Sequence, residues 1–202
     1  MAGSPGVWRM GAGAGTREEA GGVVRQDDQL LAAYARGDAA AFEELYSRYR
    51  DPLFGYLMQS CRDDALAGEL FQDVWLRVIT SAPGYKNHGR FRAWLFTLAH
   101  NRLIDHFRKA GREINGVDYA EPVAERQVER EVEGGEAVRT VALTLHEMPV
   151  EQRAAFLLRE EAGLALKEIA EIQGITLEAA KSRLRYAYGR LREALAEMRS
   201  PR

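Results

Sequence analysis

The chain has 202 residues, 46% of them apolar and 29% charged, with 28 basic against 30 acidic side chains. That is the composition of a soluble globular protein with room for one large or two small domains. No apolar run reaches the ~18 residues of a membrane span, and the N-terminus lacks a signal-type apolar core. The single cysteine, Cys61, excludes an internal disulfide, and with it a zinc site of the usual Cys/His type is not expected. Cys61 reads as a small buried residue or a surface thiol, and a reducing cytoplasm is the simplest home.

The near-neutral total hides an uneven distribution. Residues 27–76 hold 4 basic and 10 acidic side chains, and residues 77–110 hold 7 basic and 1 acidic. Residues 111–149 return to 4 basic against 9 acidic, and residues 181–202 carry 7 basic against 2 acidic. Two basic blocks separated by acidic ones suggest two nucleic-acid contact surfaces on one chain.

Residues 1–26 read as a disordered leader, because glycines from Gly3 to Gly22 interrupt any periodicity and few bulky apolar residues are available to bury. Met1 and Met10 are both candidate starts. A first helical domain is expected over 27–110. Asp27 or Asp28 caps its first helix, which carries Leu30, Leu31 and Tyr34 and ends at Gly37. Asp38 caps the next, with Phe42, Leu45, Tyr46 and Tyr49 on one face. Pro52 fits the first turn of a further helix through Leu57. Residues 65–80 form an amphipathic helix with Leu66, Leu70, Val74 and Val78 in register. Pro83-Gly84 breaks the chain, residues 85–90 form a basic loop, and 91–109 is the last helix. An acidic linker follows over 111–135, and a second domain over 136–199. Sustained strand-like alternation is lacking, so the expected fold is all-α: two small helical domains joined by a flexible linker.

The second domain holds the most telling pattern. Residues 166–172 and 176–195 are two helical stretches separated by Gln173-Gly174-Ile175. In the second, Ala180, Leu184, Ala187 and Leu191 form one apolar face, and Glu178, Lys181, Ser182 and Arg185 point away from it. Two helices, a tight glycine-bearing turn and a basic second helix describe a helix-turn-helix, whose second helix enters a DNA major groove.

Helix 91–109 carries a second pattern. Trp94, Thr97, Asn101, Asp105 and Arg108 lie along one stripe, with Phe96, Leu103 and Phe107 opposite. Asn pairs bidentately with a base edge, and an aromatic ring supports an unstacked base. Lys86, Arg90, Arg92, Arg102 and Lys109 are near enough in sequence to hold phosphates. The residues alone leave two readings: a platform for single-stranded DNA, or a core Trp with a solvated polar face.

The order of the motifs bears on that choice. Residues 91–95 (Phe-Arg-Ala-Trp-Leu) and 99–105 (Ala-His-Asn-Arg-Leu-Ile-Asp) resemble the promoter-melting helix of the extracytoplasmic-function (ECF) sigma factors of the sigma-70 family. Residues 69–75 (Glu-Leu-Phe-Gln-Asp-Val-Trp) resemble the family's polymerase-docking helix. Gly37-Asp38, Ala41-Phe42 and Leu45-Tyr46 match its opening helices, while Lys167-Glu168-Ile169-Ala170 and Lys181-Ser182-Arg183-Leu184 match its promoter-reading helix-turn-helix. The resemblance covers about 27–110 and 141–195.

It implies a dissociable sigma factor that binds core RNA polymerase, recognises minus-ten and minus-thirty-five promoter elements and helps to open the duplex. By the same resemblance Asn101 meets a flipped-out base of the minus-ten element, Trp94 stands beside the melted strand, and Lys86 and Arg90 lie in the loop around that base; Asp105 and Arg108 continue the stripe. Lys181, Ser182, Arg183 and Arg185 fall in the helix that reads the minus-thirty-five element, Arg183 either contacting the DNA or supporting the backbone or a neighbouring Glu. Leu70, Phe71, Asp73 and Trp75 fall in the docking helix. Ala179-Ala180 and Tyr186 depart from the family's usual Thr/Ser-Val and Arg, which leaves the element sequence unpredictable. The expected partners are core polymerase and promoter DNA, with an anti-sigma protein able to clasp two tethered domains, and a monomer when free. An autonomous helix-turn-helix regulator is the alternative, but it leaves 27–110 without a purpose. No catalytic activity, cofactor or metal is expected: the four histidines show no metal-like spacing and no phosphate-cradling glycine loop is present.

Overall fold

The computed structural model describes residues 26–61, 63–86, 89–109 and 135–199. The expected leader and linker lie outside these residues, save Gln26 and Gly135, as do Asn87 and His88 of the expected basic loop. The described residues form eight α-helices and one 3-10 turn, with no strand. In the first half these are α1 (Asp27–Tyr34), α2 (Ala39–Cys61), α3 (Asp64–Ser81) and α4 (Phe91–Lys109), and in the second α5 (Glu136–Glu147), α6 (Val150–Glu160), α7 (Leu166–Ile172) and α8 (Leu177–Arg199).

Local chemistry explains most of the boundaries. Gly37 closes α1 in a left-handed conformation (φ 101°) that a side chain would strain. Asp38 then accepts a hydrogen bond from the Ala41 amide at 3.2 Å and opens α2. Asp63 does the same for α3, accepting from the Leu66 amide at 3.0 Å. The buried stripe of α3 is Ala67, Leu70, Val74 and Val78, and Leu66 is only half-buried at its start.

Two expectations about the first half are corrected. Asp27 and Asp28 do not cap α1; Gln26 occupies that position, and its amide donates to Gln29 Oε1 at 3.1 Å. The two carboxylates sit in the first turn, where the helix dipole favours them, and are used laterally. Asp27 accepts from Arg48 at 2.7 Å and from the Tyr49 hydroxyl, tying α1 to α2. Asp28 accepts from the Tyr85 hydroxyl at 2.8 Å. Pro52 does not begin a helix either, but lies inside the 23-residue α2. A mid-helix proline removes one backbone donor and normally kinks or breaks the helix. Here the helix continues because Leu45, Tyr49, Leu53, Tyr56 and Leu57 form one buried row on both sides of it.

In the second half, α8 is the long element against which α5, α6 and α7 pack. Pro149 stands at the N-cap of α6, one residue before the helix, and the helix-turn-helix is formed by α7 and α8. The two halves also meet: α2 packs on α6 and α4 on α7, and buried apolar residues run continuously from one half to the other.

Candidate nucleic-acid interface

The turn between α7 and α8 is built for a sharp change of direction. Gly174 adopts φ 62°, the Ile175 amide donates to the Ala170 carbonyl at 3.0 Å, and the Ala179 amide donates to Thr176 Oγ1 at 3.2 Å, capping α8. Ala180, Ala187 and Leu191 are buried and Leu184 half-buried, so the apolar face read from the sequence is the packed one. Lys181, Ser182 and Arg185 are exposed on the opposite side, with Tyr186 exposed beside them. Arg183 turns away from that group. It is half-buried, and its Nη1 donates to Gln173 Oε1 at 3.0 Å, while Gln173 Nε2 donates to the Glu151 carbonyl at 3.1 Å.

Helix α4 buries Phe91, Leu95, Phe96, Ala99, Leu103 and Phe107 and leaves Asn101 exposed. Thr97 is half-buried and its hydroxyl donates to the Ala93 carbonyl at 2.7 Å. Asp105 and Arg108 pair with each other at 2.7 Å along the same outward side. Trp94 is half-buried in an aromatic group, 4.7 Å from Tyr85 and 5.8 Å from Phe91 between ring centres. Lys86, Lys109 and Arg90 are exposed. Two of the arginines grouped with them are engaged elsewhere: Arg102 binds Asp73 of α3, and Arg92 donates to the Tyr49 hydroxyl at 3.5 Å. Arg90 binds Glu171 of α7, which holds that carboxyl below the usual carboxylate range.

His100 faces inward, hydrogen-bonded to the Tyr56 hydroxyl through Nδ1 at 2.9 Å. Burial, with the Arg183 guanidinium as a lesser cause, pushes its pKa down to about 4. The imidazole is therefore neutral at neutral pH. Burial likewise pushes the Cys61 thiol up to about 12, which makes it a poor nucleophile.

On α3 the expected docking residues divide. Leu70 (3% exposed) and Trp75 (5%) are core, so contact of either with a partner is corrected to a supporting role: Trp75 packs edge-on against Phe42 and Phe71 and tilted against Tyr46. Phe71 and Asp73 are half-exposed. Sequence reasoning missed Leu76 and Ile79, which are 58% and 36% exposed on the same helix. Their signal was available: both are apolar yet lie off the Leu70, Val74, Val78 stripe.

An all-helical chain with a helix-turn-helix at one end and a polar, asparagine-bearing helix at the other defines a two-module DNA-binding factor. Its relatives say which. Residues 45–113 match sigma-70 region 2 and residues 139–198 match sigma-70 region 4. The RNA polymerase sigma factor CarQ of Myxococcus xanthus is 31% identical over 163 residues, covering 80% of this chain and 93% of the relative. The ECF RNA polymerase sigma factor SigK of Mycobacterium tuberculosis is 32% identical over 174 residues, covering 83% and 92%. In fold, the chain is similar to CnrH as solved with the cytosolic domain of CnrY (TM-score 0.62, 23% identity, 86% of this chain and 99% of that one). It is also similar to the sigma factor RpoE of Bartonella quintana solved with the anti-sigma factor NepR (TM-score 0.61, 22% identity, 77% and 96%). The chain belongs to the ECF sigma factors of the sigma-70 family. That membership removes the autonomous regulator, because the first half now has a counterpart.

Proposed function

We propose that this protein is a dissociable promoter-recognition subunit whose two halves divide the work. The outer side of α3, with Phe71, Asp73, Leu76 and Ile79, docks on core RNA polymerase. The exposed side of α4 and its preceding loop, with Asn101, Trp94, Lys86, Arg90 and the Asp105–Arg108 pair, receive the melted strand of the minus-ten element. Helix α8 enters the major groove of the minus-thirty-five element with Lys181, Ser182 and Arg185.

One observation carries this reading: Asn101 is exposed on a helix anchored to the core by Phe91, Leu95, Phe96, Ala99, Leu103 and Phe107. Extruding a base costs a few kcal/mol, and a rigid hydrogen-bonding side chain recovers part of that cost. The exposed cations of α8 then set register on the duplex through phosphates and base edges. Flexible side chains on a loop would do neither as well.

The reading needs no catalytic chemistry from the chain itself. Among the described residues no cluster of three His, Cys, Asp or Glu side chains could hold a metal, and no helix is long and apolar enough to cross a membrane. We place the protein in the cytoplasm with the transcription machinery. Both structural relatives were solved with a partner bound, one of them an anti-sigma factor, and we include an anti-sigma protein among this chain's partners. Mapping transcription starts after overexpression tests the whole assignment. Two shared sequence blocks upstream of the induced starts are expected, and induced starts without any shared block would refute it.

A further inference from the structure

Helix α1 has no part in the promoter reading above, yet one of its carboxylates is committed to the loop before α4. The Tyr85 hydroxyl donates to Asp28 Oδ1 at 2.8 Å, across 57 residues of chain. Asp28 stands in the first turn of α1, and that helix is firmly seated. Leu30 and Leu31 are fully buried, and the neighbouring Asp27 is taken by Arg48 and Tyr49 of α2. The acceptor is therefore a fixed point on the core.

From Tyr85 the connection runs on in two directions. Its ring lies 4.7 Å from Trp94 and 6.2 Å from Phe91 between ring centres. Phe91 is buried and anchors the start of α4, whereas Trp94 is half-buried. Along the backbone, Tyr85 is followed by Lys86, which is exposed. The chain has just left the 3-10 turn Ala82–Gly84, and Tyr85 is extended (φ −65°, ψ 127°), with its amide 3.3 Å from the Ala82 carbonyl. A hydrogen bond onto a carboxylate is roughly twice as strong as one between neutral groups. Burial, then the bond to Asp28, push the Tyr85 pKa up, which keeps the proton on the hydroxyl and the bond in its donating sense.

We infer that Asp28 and Tyr85 are positioning residues for promoter opening: their bond pins the start of the basic loop to α1, so that Lys86 and Trp94 stand at fixed places beside the strand that Asn101 engages. Neither residue of the pair touches DNA itself. The inference rests on the promoter reading and adds to it that the strand-receiving side of α4 is assembled from α1 as well. Groups held in place before the strand arrives lose less freedom on binding it, so more of the cost of extruding a base is recovered.

The test uses the full chain with core RNA polymerase on a promoter taken from mapped starts, strand opening being read by permanganate reactivity of unpaired thymines. Tyr85→Phe removes the hydroxyl and keeps the ring on Trp94; it should lower opening about fivefold, on the scale of one lost hydrogen bond. Asp28→Ala should do the same, and the double variant should be no worse than either single one. Asp28→Asn, whose amide oxygen still accepts, should restore most of the parent's opening. Lys86→Ala should lower opening in the parent and add little in Tyr85→Phe. Binding of the minus-thirty-five duplex should stay unchanged throughout. In the free chain with Cys61→Ser, a nitroxide on Lys86→Cys should become more mobile when Tyr85→Phe is added. Parental opening by Tyr85→Phe would overturn the inference, as would losses that multiply in the double variant or an equal effect of Lys86→Ala in both backgrounds. Increased opening in both Asp28→Ala and Asp28→Asn would overturn it too, by assigning Asp28 to charge repulsion. So would a label whose mobility ignores the hydroxyl. A parent that opens no promoter, with a label that still responds to Tyr85→Phe, would instead refute the promoter reading.

Discussion

Acidification should weaken this protein through His100 in a way that can be calculated. The imidazole is buried and neutral with a pKa of about 4, against about 6.5 in an unfolded chain. A histidine with a depressed folded pKa contributes stability that is present above the unfolded value and lost as pH falls toward the folded one. At pH 5 the unfolded state binds the proton and the folded state largely does not, which removes about 2 kcal/mol relative to pH 7.5. Complete acidification below pH 4 removes on the order of 3 kcal/mol from this group. The assay is urea unfolding at pH 7.5 and pH 5 for the parent and for His100→Gln, which keeps a polar partner for the Tyr56 hydroxyl. The parent should lose about 2 kcal/mol more than the variant over that interval. Because Arg183 contributes to the depression, Arg183→Gln should fall between the two. Identical pH dependence in parent and His100→Gln would refute the reasoning, since it would place the titrating group elsewhere.

Three further outcomes follow from the interfaces. Asn101→Ala should leave thermal stability within about 0.5 kcal/mol of the parent, as for other exposed sites, while reducing promoter opening measured by permanganate reactivity of unpaired thymines; loss of folding would mean the side chain supports the core. Trp75→Ala should cost about 3–5 kcal/mol of unfolding free energy, whereas Leu76→Ser should be nearly silent in stability and weaken binding to core polymerase in a titration; the reverse pattern would invert the two roles assigned on α3. Arg185→Ala should lower affinity for minus-thirty-five duplex, and its salt slope should fall by about 1 if the side chain meets a phosphate, or one base preference should relax if it reads an edge. Unchanged affinity, slope and preference would remove Arg185 from the interface.

Helices whose ends are marked by local chemistry were legible in the sequence. The bounds of α4 follow from its apolar periodicity, Gly37 needs its left-handed turn, and Asp38 can cap α2 from its position alone. Pro52 misled because the local rule against a mid-helix proline is real, and only the buried row on both sides of it outweighs the rule. Asp27 and Asp28 misled because their partners Arg48, Tyr49 and Tyr85 lie 21 to 57 residues away. A greater separation, 93 residues, hid the bond from Arg153 to the Ser60 carbonyl that joins the two halves. Arg153 reads as an ordinary surface arginine until the C-terminal carbonyls of α2 and α5 converge on it. At the interface, the polar stripe of α4 and the exposed cations of α8 were readable from helical spacing. The burial of Trp75 was not, because it too lies off the Leu70, Val74, Val78 stripe and only its packing against Phe42 and Tyr46 takes it inward.

The most direct measurement is reconstitution: the purified chain, core RNA polymerase and a promoter taken from the mapped starts, with complex formation followed by gel filtration and transcription read from the run-off product. A stoichiometric complex and a product that depends on both the chain and the two upstream elements are expected. Core polymerase that elutes apart from the protein and makes no specific transcript would contradict the assignment at its root.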